Sequence, residues 1–276
     1  MSRACSTSPA RGATSLVVAV LSLSTLARGA GHLPADGSDE ALPCRPTIAC
    51  TAYIAPPGDV ELEMGYLFRR LEHGSPQHTT PFLLKLSIAT WVQLQVSSNG
   101  YTVTNSPPLS HYFDDVAVGA KLHAIDQYNY FPSLSFSVLL NLPTPPQRGY
   151  ARGYDGLLTA YITEKFGRFE VDLNVGVNIW RTALSIVVQP WAAFAMSYGL
   201  PRSFVVMVET YYFADAQPVV GRDGGTLFAL SYTPRSWIVF DTGVDAGWFS
   251  SERSVSAFVG ATLIVGNLWA PKRRPQ

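Results

Sequence analysis

The amino-acid sequence predicts an all-β fold, a transmembrane antiparallel β-barrel of about twelve strands that follows a cleaved signal peptide. The 276 residues are 47% hydrophobic and only 14% charged, whereas soluble domains carry about 25% charged residues. From Asp59 onwards, apolar and polar residues alternate in segments of about ten residues, as expected for strands with one apolar and one polar face. Short and long connectors alternate between these segments, which is typical of outer-membrane barrels.

The amino-terminal residues have the features of an export signal. Arg3 and Arg11 precede an apolar stretch at residues 15–27, and small residues follow at Gly29 and Ala30. A basic region, an apolar region and a small-residue region in this order indicate a cleaved signal peptide, which we predict over residues 1–30. A membrane anchor is the alternative, but the apolar stretch is shorter than the roughly 20 residues that cross a bilayer as a helix.

Residues 31–58 precede the first predicted strand and contain Cys44 and Cys50. Export brings these cysteines into an oxidising compartment, where a closely spaced pair can form a disulfide. Two free thiols or a metal site are the alternatives, although no second Cys/His pair is spaced to complete a zinc shell. We predict a periplasmic leader over residues 31–58, pinned by a disulfide between Cys44 and Cys50.

The alternating segments define the barrel, which we predict over residues 59–269. Residues 270–276 are rich in basic side chains and proline, and we expect a disordered basic tail there. The predicted strands are 59–70, 80–89, 91–98, 113–125, 132–142, 155–165, 168–180, 185–198, 203–214, 225–233, 236–247 and 254–266.

Strand parity assigns an outer and an inner face to each strand. In the segment 168–180, Val171, Leu173 and Val175 alternate with polar residues. A long apolar face is not left in water, and a dry core does not accept carboxylates without partners. We therefore expect the apolar face to meet lipid and the polar face to line the lumen. By the same parity the lumen-lining candidates are Glu61, Glu63, Lys85, Lys121, Glu170, Asp172, Glu209, Asp241 and Asp245.

These candidates carry more acidic than basic side chains. Carboxylates along a narrow lumen raise the local concentration of cations and disfavour anions. We therefore expect neutral or cationic solutes to pass and anions to be excluded. A closed network of ion pairs that conducts nothing is the alternative.

Aromatic residues cluster towards the ends of the predicted strands. Girdles at the level of the lipid headgroups have this pattern, although aromatic residues favour strands in any β-protein. The residues are Trp91, Tyr112, Phe113, Tyr130, Phe131, Trp180, Tyr198, Tyr211, Tyr212, Trp237 and Trp248.

Other functional classes lack the residues that they need. The net charge is zero and no basic stripe is visible, which argues against nucleic-acid binding. Acid-base catalysis needs a base close to an acid or nucleophile, and of the five histidines only His123 falls within a predicted strand. We therefore expect no enzymatic activity, no cofactor and no metal. A lipid hydrolase with serine and histidine on outward strand faces is the alternative.

Four pieces of the chain have a pattern seen in known barrels: FDDVAVGAKLHA at 113–124, LNLPTP at 140–145, FEVDLNVGVNI at 169–179, and the final hairpin with WIVFDTGVDAG and FVGATLIVG. In these pieces the chain resembles the outer-membrane barrels of the phenol-degradation meta-pathway, a transporter-like family. The resemblance implies a Gram-negative outer membrane and a role in moving small, often aromatic or apolar, compounds. Residues 31–51 are extra, and the basic tail displaces a terminal aromatic residue.

We therefore predict an outer-membrane barrel that acts as a passive channel or transporter for small neutral, cationic or aromatic solutes. Its expected partners are outer-membrane lipid, the barrel-assembly machinery and a small-molecule solute. A structural barrel with a plugged lumen and no transport is the alternative, together with the lipid hydrolase.

Overall fold

The computed structural model describes residues 40–104, 111–142, 154–181, 185–217, 220–250 and 252–269. The predicted signal peptide and basic tail lie outside these residues. In the described part of the chain, nearly all regular structure is β-strand, and the one helical element is a single turn at Pro201–Ser203. No helix among these residues is long and apolar enough to cross a bilayer.

The strands follow the predicted alternation closely. Most observed boundaries lie within a few residues of the predicted ones, and β3 is the main exception because its polar end, up to Thr104, also pairs with its neighbours. The strands are β1 (Asp59–Leu71), β2 (Gln77–Ala89), β3 (Val92–Thr104), β4 (His111–Phe113), β5 (Val116–Ile125), β6 (Ser133–Leu142), β7 (Asp155–Phe166), β8 (Phe169–Arg181), β9 (Ile186–Leu200), β10 (Phe204–Phe213), β11 (Asp223–Arg235), β12 (Ile238–Gly247) and β13 (Ser254–Asn267).

These strands form one closed antiparallel barrel. Strands adjacent in sequence pair with each other except for β4 and β5, and β1 also pairs with β13, which closes the circle. The short strand β4 and the long strand β5 both pair with β3, one after the other along its length, and Asp114 and Asp115 separate them. They fill one position in the wall. The barrel therefore has twelve strands, which confirms the predicted antiparallel β-barrel of about twelve strands.

The two ends of the barrel differ in their connectors. One end, here called the turn rim, carries both ends of the barrel chain and the connectors 90–91, 126–132, 167–168, 201–203 and 236–237. At the opposite end, here called the loop rim, the strand ends are separated in sequence by residues 72–76, 105–110, 143–154, 182–185, 214–222 and 248–253. In outer-membrane barrels the short turns face the periplasm and the longer loops face outwards.

The barrel carries apolar residues outside and charged residues inside. On β13, Val255 and Val259 point outwards and are 62% and 56% exposed. Such exposure is stable when the solvent of that face is hydrocarbon, because lipid does not penalise apolar surface. The largest fully buried side chains include five charged ones, and these are Lys85, Lys121, Glu61, Glu63 and Glu209.

Exposed aromatic residues lie at both rims. Trp91 and Phe131 are exposed at the turn rim, and Tyr212 and Trp248 are exposed at the loop rim. Tyr211 departs from the expected girdle because it is buried inside the barrel. Successive residues of a strand point to opposite faces, so only one of two adjacent tyrosines can meet the headgroups.

Candidate functional site

The lumen contains residues 40–58 of the chain itself, here called the N-terminal segment. The segment starts at the turn rim, where the Ala41 N–H donates to the Ser236 carbonyl at 2.7 Å. Deeper in the barrel Ala49 is 1% exposed. The segment returns to the turn rim at Gly58, whose N–H donates to a carbonyl of β2 at 2.7 Å. The described part of the predicted periplasmic leader therefore lies inside the barrel and not outside it.

The charges of the inner face explain this location. Buried carboxylates and ammonium groups need hydrogen-bond partners, and an extended peptide offers an N–H and a carbonyl at nearly every residue. Cys44 and Cys50 form a disulfide with sulfurs 2.07 Å apart, which closes the inserted part of the segment into a short loop. Nine wall residues that bind the segment are here called the socket, and they are Glu61, Glu63, Lys85, Lys121, Ser135, Thr163, Asn174, Glu209 and Asp241.

One side of the socket is formed by Glu61 and Glu63 on β1 and Lys85 on β2. The Lys85 ammonium lies 3.0 Å from Glu61 Oε2 and 2.7 Å from Glu63 Oε1. The Leu42 N–H donates to Glu61 Oε1 at 2.7 Å, and the Cys44 N–H donates to Glu63 Oε1 at 2.9 Å. Lys85 in turn donates to the Leu42 carbonyl at 2.5 Å. These three charges therefore bind one another and the backbone of the segment.

Glu209 on β10 binds the loop that the disulfide closes. Its Oε1 accepts from the Ile48 N–H at 3.0 Å, and its Oε2 accepts from the Ala49 N–H at 2.7 Å. Hydrogen bonds to an ionised carboxylate are stronger than those between neutral groups. Because Glu209 is 1% exposed, the segment takes the place of water as its partner.

Arg45 carries a positive charge from the segment to Asp241 on β12. Its Nη2 lies 3.3 Å from Asp241 Oδ1, and its Nε lies 3.4 Å from Oδ2. The guanidinium lies over Gly65 of β1 and Gly260 of β13, which pair directly with each other. A Cβ atom on Gly65 would be 2.5 Å from Arg45 Cζ, and one on Gly260 would be 2.5 Å from Arg45 Nε. Glycine at both positions allows this close approach.

Lys121 on β5 binds the returning part of the segment. It is 1% exposed, and it donates to the carbonyls of Thr51 and Tyr53, to the latter at 3.2 Å. Its ammonium also lies 4.3 Å from the centre of the Tyr161 ring, where a cation is attracted by the π-electrons. Lys121 therefore satisfies backbone carbonyls, whereas Glu61, Glu63 and Glu209 satisfy backbone N–H groups.

Uncharged side chains complete this side of the socket. The Ala52 N–H donates to Thr163 Oγ1 at 2.6 Å, and Ser135 donates to the Ala52 carbonyl. Asn174, in the amide orientation that satisfies both of its polar atoms, accepts from the Cys50 N–H at 2.7 Å and donates to the Cys50 carbonyl at 3.0 Å. The segment is therefore held by its backbone from several strands around the wall.

Three of the predicted lumen residues, Glu170, Asp172 and Asp245, bind the wall. Glu170 Oε2 lies 3.3 Å from the ammonium of Lys165. Asp172 accepts from a threonine hydroxyl of β7 at 2.5 Å, and Asp245 accepts from the Tyr211 hydroxyl at 3.0 Å. The structure places all nine predicted residues on the inner face, and the other six bind the segment.

Sequence reasoning did not identify Ser135, Thr163 and Asn174 of the socket or Arg45 of the segment. The three socket residues are uncharged, so strand parity gave no reason to select them, and Arg45 lies outside every strand. The available signal was the cysteine pair, because a covalently closed loop next to a barrel indicates ordered residues.

A serine, a histidine and an aspartate meet near the turn rim. His123 Nδ1 lies 3.0 Å from Ser135 Oγ, and its Nε2 lies 2.6 Å from Asp126 Oδ1. A serine nucleophile must share its proton with the histidine and reach the substrate. Ser135 is instead fully buried and donates to the Ala52 carbonyl, so this trio is not arranged as a hydrolase site. Among the described residues, no group of three or more His, Cys, Asp or Glu side chains could hold a metal ion.

The described residues leave cavities near both ends of the barrel. The cavity at the turn rim measures about 270 Å³ and is lined by Arg45 and Ala49 of the segment and by Asp172 and Leu200 of the wall. A second cavity of about 750 Å³ is lined by residues that include Trp180 and lies towards the loop rim. The part of the chain that the structure describes therefore leaves space for a small solute at each end of the barrel.

Comparisons with known proteins identify the fold. No protein-family model matches the sequence, and no curated protein gives a significant match. An outer-membrane channel from Pseudomonas putida F1 is similar in structure, with a TM-score of 0.57 and 12% sequence identity over 77% of this chain and 97% of that chain. The NanC porin has a TM-score of 0.55 and 10% identity over 73% of this chain and 98% of that chain. The chain therefore has the fold of outer-membrane β-barrel channels.

Proposed function

We propose that the protein is an outer-membrane channel through which small solutes diffuse passively, and that the N-terminal segment closes its lumen in this structure. The observation that supports this proposal most strongly is the polar character of the contact between segment and wall. Leu42, Cys44, Ile48 and Ala49 bind the socket carboxylates through backbone N–H groups. Water can replace such bonds when the segment leaves, so an open lumen would not expose a large apolar surface.

Location in the outer membrane is part of this proposal. The exposed apolar outer face requires lipid. Because the barrel is closed, it presents no open sheet edge whose backbone N–H and carbonyl groups would lack partners in the membrane. Insertion of such a barrel requires the barrel-assembly machinery, which we propose as a partner together with outer-membrane lipid. We expect the protein to fractionate with outer membranes and to show heat-modifiable migration on gels, and recovery of a soluble monomer without detergent would contradict this location.

Charge determines which solutes the open lumen would favour. When the segment leaves, Glu61, Glu63, Glu209 and Asp241 lose hydrogen-bond donors from the segment, and the lumen also loses the charge of Arg45. The acidic excess of the wall would then attract cations and repel anions. We therefore propose that neutral and cationic solutes pass and that anions are disfavoured.

The resemblance to the phenol-degradation barrels supports small aromatic compounds as one class of solute. The inner face supplies an aromatic surface beside the segment, where Trp191 and Phe213 stack with ring centres 5.4 Å apart. Ala49 of the segment packs in the same cluster. A neutral aromatic solute could therefore occupy this surface after the segment has moved.

A permanently closed barrel is the second candidate function. It is favoured by the close fit of Arg45 over Gly65 and Gly260, and by the disulfide that closes the inserted loop. If the segment never leaves, the barrel has a structural role and conducts nothing.

Planar-bilayer recordings distinguish the two candidates. The full-length protein would be compared with a variant that lacks residues 40–57, and a variant that lacks residues 31–39 but retains the segment is the matched control. We expect frequent, cation-preferring openings only in the variant without residues 40–57. A correctly folded 40–57 deletion that never conducts would reject the channel, and a preference for anions would reject the proposed selectivity.

A further inference from the structure

The disulfide connects two parts of the N-terminal segment that bind opposite sides of the socket. The Cys44 N–H donates to Glu63 on β1 at 2.9 Å. The Cys50 backbone binds Asn174 on β8 through both its N–H and its carbonyl. The disulfide therefore holds the two halves of the loop at the spacing that the socket requires.

The two sulfur atoms have different surroundings. Cys50 is 6% exposed, and its Sγ lies 3.7 Å from Lys121 Nζ. Cys44 is half-buried, and its neighbours Pro43 and Arg45 line the cavity at the turn rim. A reagent of small size can therefore approach Cys44 from that rim, whereas Cys50 faces a buried ammonium group.

This asymmetry matters for thiol–disulfide exchange. A thiolate attacks one sulfur, and the other sulfur leaves as a thiolate, at a rate that increases when the leaving thiolate is stabilised. A positive charge next to a cysteine favours its thiolate form. The Lys121 ammonium is placed to stabilise Cys50 as the leaving group.

We propose that the Cys44–Cys50 disulfide is a thiol-exchange site whose reduction releases the N-terminal segment from the socket. A dithiol reductant attacks Cys44 Sγ through one thiolate, so that a mixed disulfide forms and the bond to Cys50 breaks. The second thiol of the reductant, as its thiolate, attacks the mixed disulfide and expels the Cys44 thiolate. The reductant ends as a disulfide, and Cys44 and Cys50 take up two protons to become thiols.

Reduction would weaken closure of the lumen through the flexibility of the released loop. The disulfide joins residues only 6 positions apart. By the loop-entropy relation, loss of such a cross-link increases the ratio of undocked to docked segment by up to roughly 50-fold. The effect on conductance rests on the proposed channel function, whereas the exchange chemistry and the release of the segment do not.

The site of attack can be tested on the full-length protein in detergent. Oxidised protein would be exposed to reduced glutathione, a monothiol, and the adduct located by mass spectrometry. We expect at least a roughly 10-fold excess of the adduct on Cys44, and an excess on Cys50 would overturn the assignment. In Lys121→Gln, which keeps a hydrogen-bond donor but removes the charge, this excess should fall. Lys165→Gln is the matched control. It also removes a positive charge beside the segment, but this charge lies 4.3 Å from the Tyr53 ring and not beside Cys50 Sγ, so the excess should stay unchanged.

Release of the segment is measured by hydrogen–deuterium exchange in residues 41–53. We expect exchange to accelerate after treatment with dithiothreitol, and the Cys44→Ser, Cys50→Ser double variant to exchange rapidly with or without reductant. Equal exchange in oxidised and reduced wild type would overturn the proposal. Faster exchange after reduction without any conductance would preserve the exchange site and reject the channel. A 40–57 deletion that conducts, together with wild-type exchange that is insensitive to reductant, would preserve the channel and reject the exchange site.

Discussion

Two sets of carboxylates line the lumen, and they differ in the origin of their hydrogen-bond donors. The socket carboxylates, Glu61, Glu63, Glu209 and Asp241, accept from the N-terminal segment. The wall carboxylates accept from side chains of the barrel, and they are Glu170, Asp172, Asp223 and Asp245. Movement of the segment therefore changes the surroundings of the first set and leaves the wall partners of the second set in place. The charge that a solute meets depends on the position of the segment.

The largest expected effect comes from neutralising the socket. The double variant Glu63→Gln, Glu209→Gln removes the charge from carboxylates that each accept two backbone N–H groups. Each bond to a charged group contributes about 1.5–3 kcal/mol, and glutamine retains part of it, so docking of the segment should weaken by about 4 kcal/mol. Hydrogen–deuterium exchange in residues 42–49 would report this change.

The matched control for that experiment changes two wall carboxylates. Glu170→Gln with Asp245→Asn removes the same amount of charge from the lumen, but from carboxylates that bind side chains of the wall. Exchange in residues 42–49 should stay close to that of the wild type. If both double variants accelerated exchange equally, the distinction between socket and wall would be wrong.

A smaller effect is expected from Arg45→Ala. The change leaves Asp241, whose side chain is 1% exposed, without its ion-pair partner. Loss of one member of a buried ion pair costs about 3–5 kcal/mol, and the distances of 3.3 and 3.4 Å favour the lower end, about 3 kcal/mol. Exchange in the segment should increase accordingly. Arg45→Lys, which keeps the charge but not the planar pair of donors, should fall between alanine and wild type.

Gly65→Ala tests the close fit of the guanidinium. The added methyl group would lie 2.5–2.7 Å from three atoms of Arg45, and such overpacking costs about 1–3 kcal/mol. In the double variant with Arg45→Ala this penalty should disappear, because the clashing atoms are absent. Segment docking, measured by exchange in all four members of the cycle, would show this coupling, and simple additivity would contradict the fit.

The smallest effect is expected from Glu170→Gln alone. Glu170 and Lys165 form an ion pair in which both side chains are 17% exposed and lie 3.3 Å apart. Ion pairs with access to water contribute about 0–1 kcal/mol. Thermal unfolding of the variant in detergent should therefore differ little from wild type, and a loss as large as that of Arg45→Ala would show that the wall also depends on this pair.

The strands could be predicted because their pattern is local. Alternation along β8 gives the face of each residue without knowledge of the rest of the chain. The predicted strand 113–125 is interrupted at Asp114 and Asp115, which separate β4 from β5. This interruption could not be read in the same way, since the two aspartates fit a polar strand position as well as a break. The end of β3 was missed because the polar stretch at residues 97–100 interrupts the alternation, which resumes only with Tyr101 and Val103.

The place of the N-terminal segment could not be predicted from local pattern. Its backbone partners are distant in the chain, as shown by the bonds from Ile48 and Ala49 to Glu209, about 160 positions away. Backbone N–H groups have no signature in the sequence, so nothing in residues 40–58 indicated a complement to buried carboxylates. Strand parity suggested which charges share an inner face, but their partners depend on the closed barrel.

The position of Arg45 has a consequence for assembly of the barrel. Gly65 and Gly260 pair across the seam at which the first strand meets the last, and the guanidinium lies over both. A shift of that pairing by two residues would bring Phe258 or Thr262 opposite Gly65 in place of a glycine. A shift by one residue would exchange the inner and outer faces. The segment therefore favours a single register of the first and last strands, and Arg45 distinguishes the correctly closed barrel from barrels closed in a shifted register.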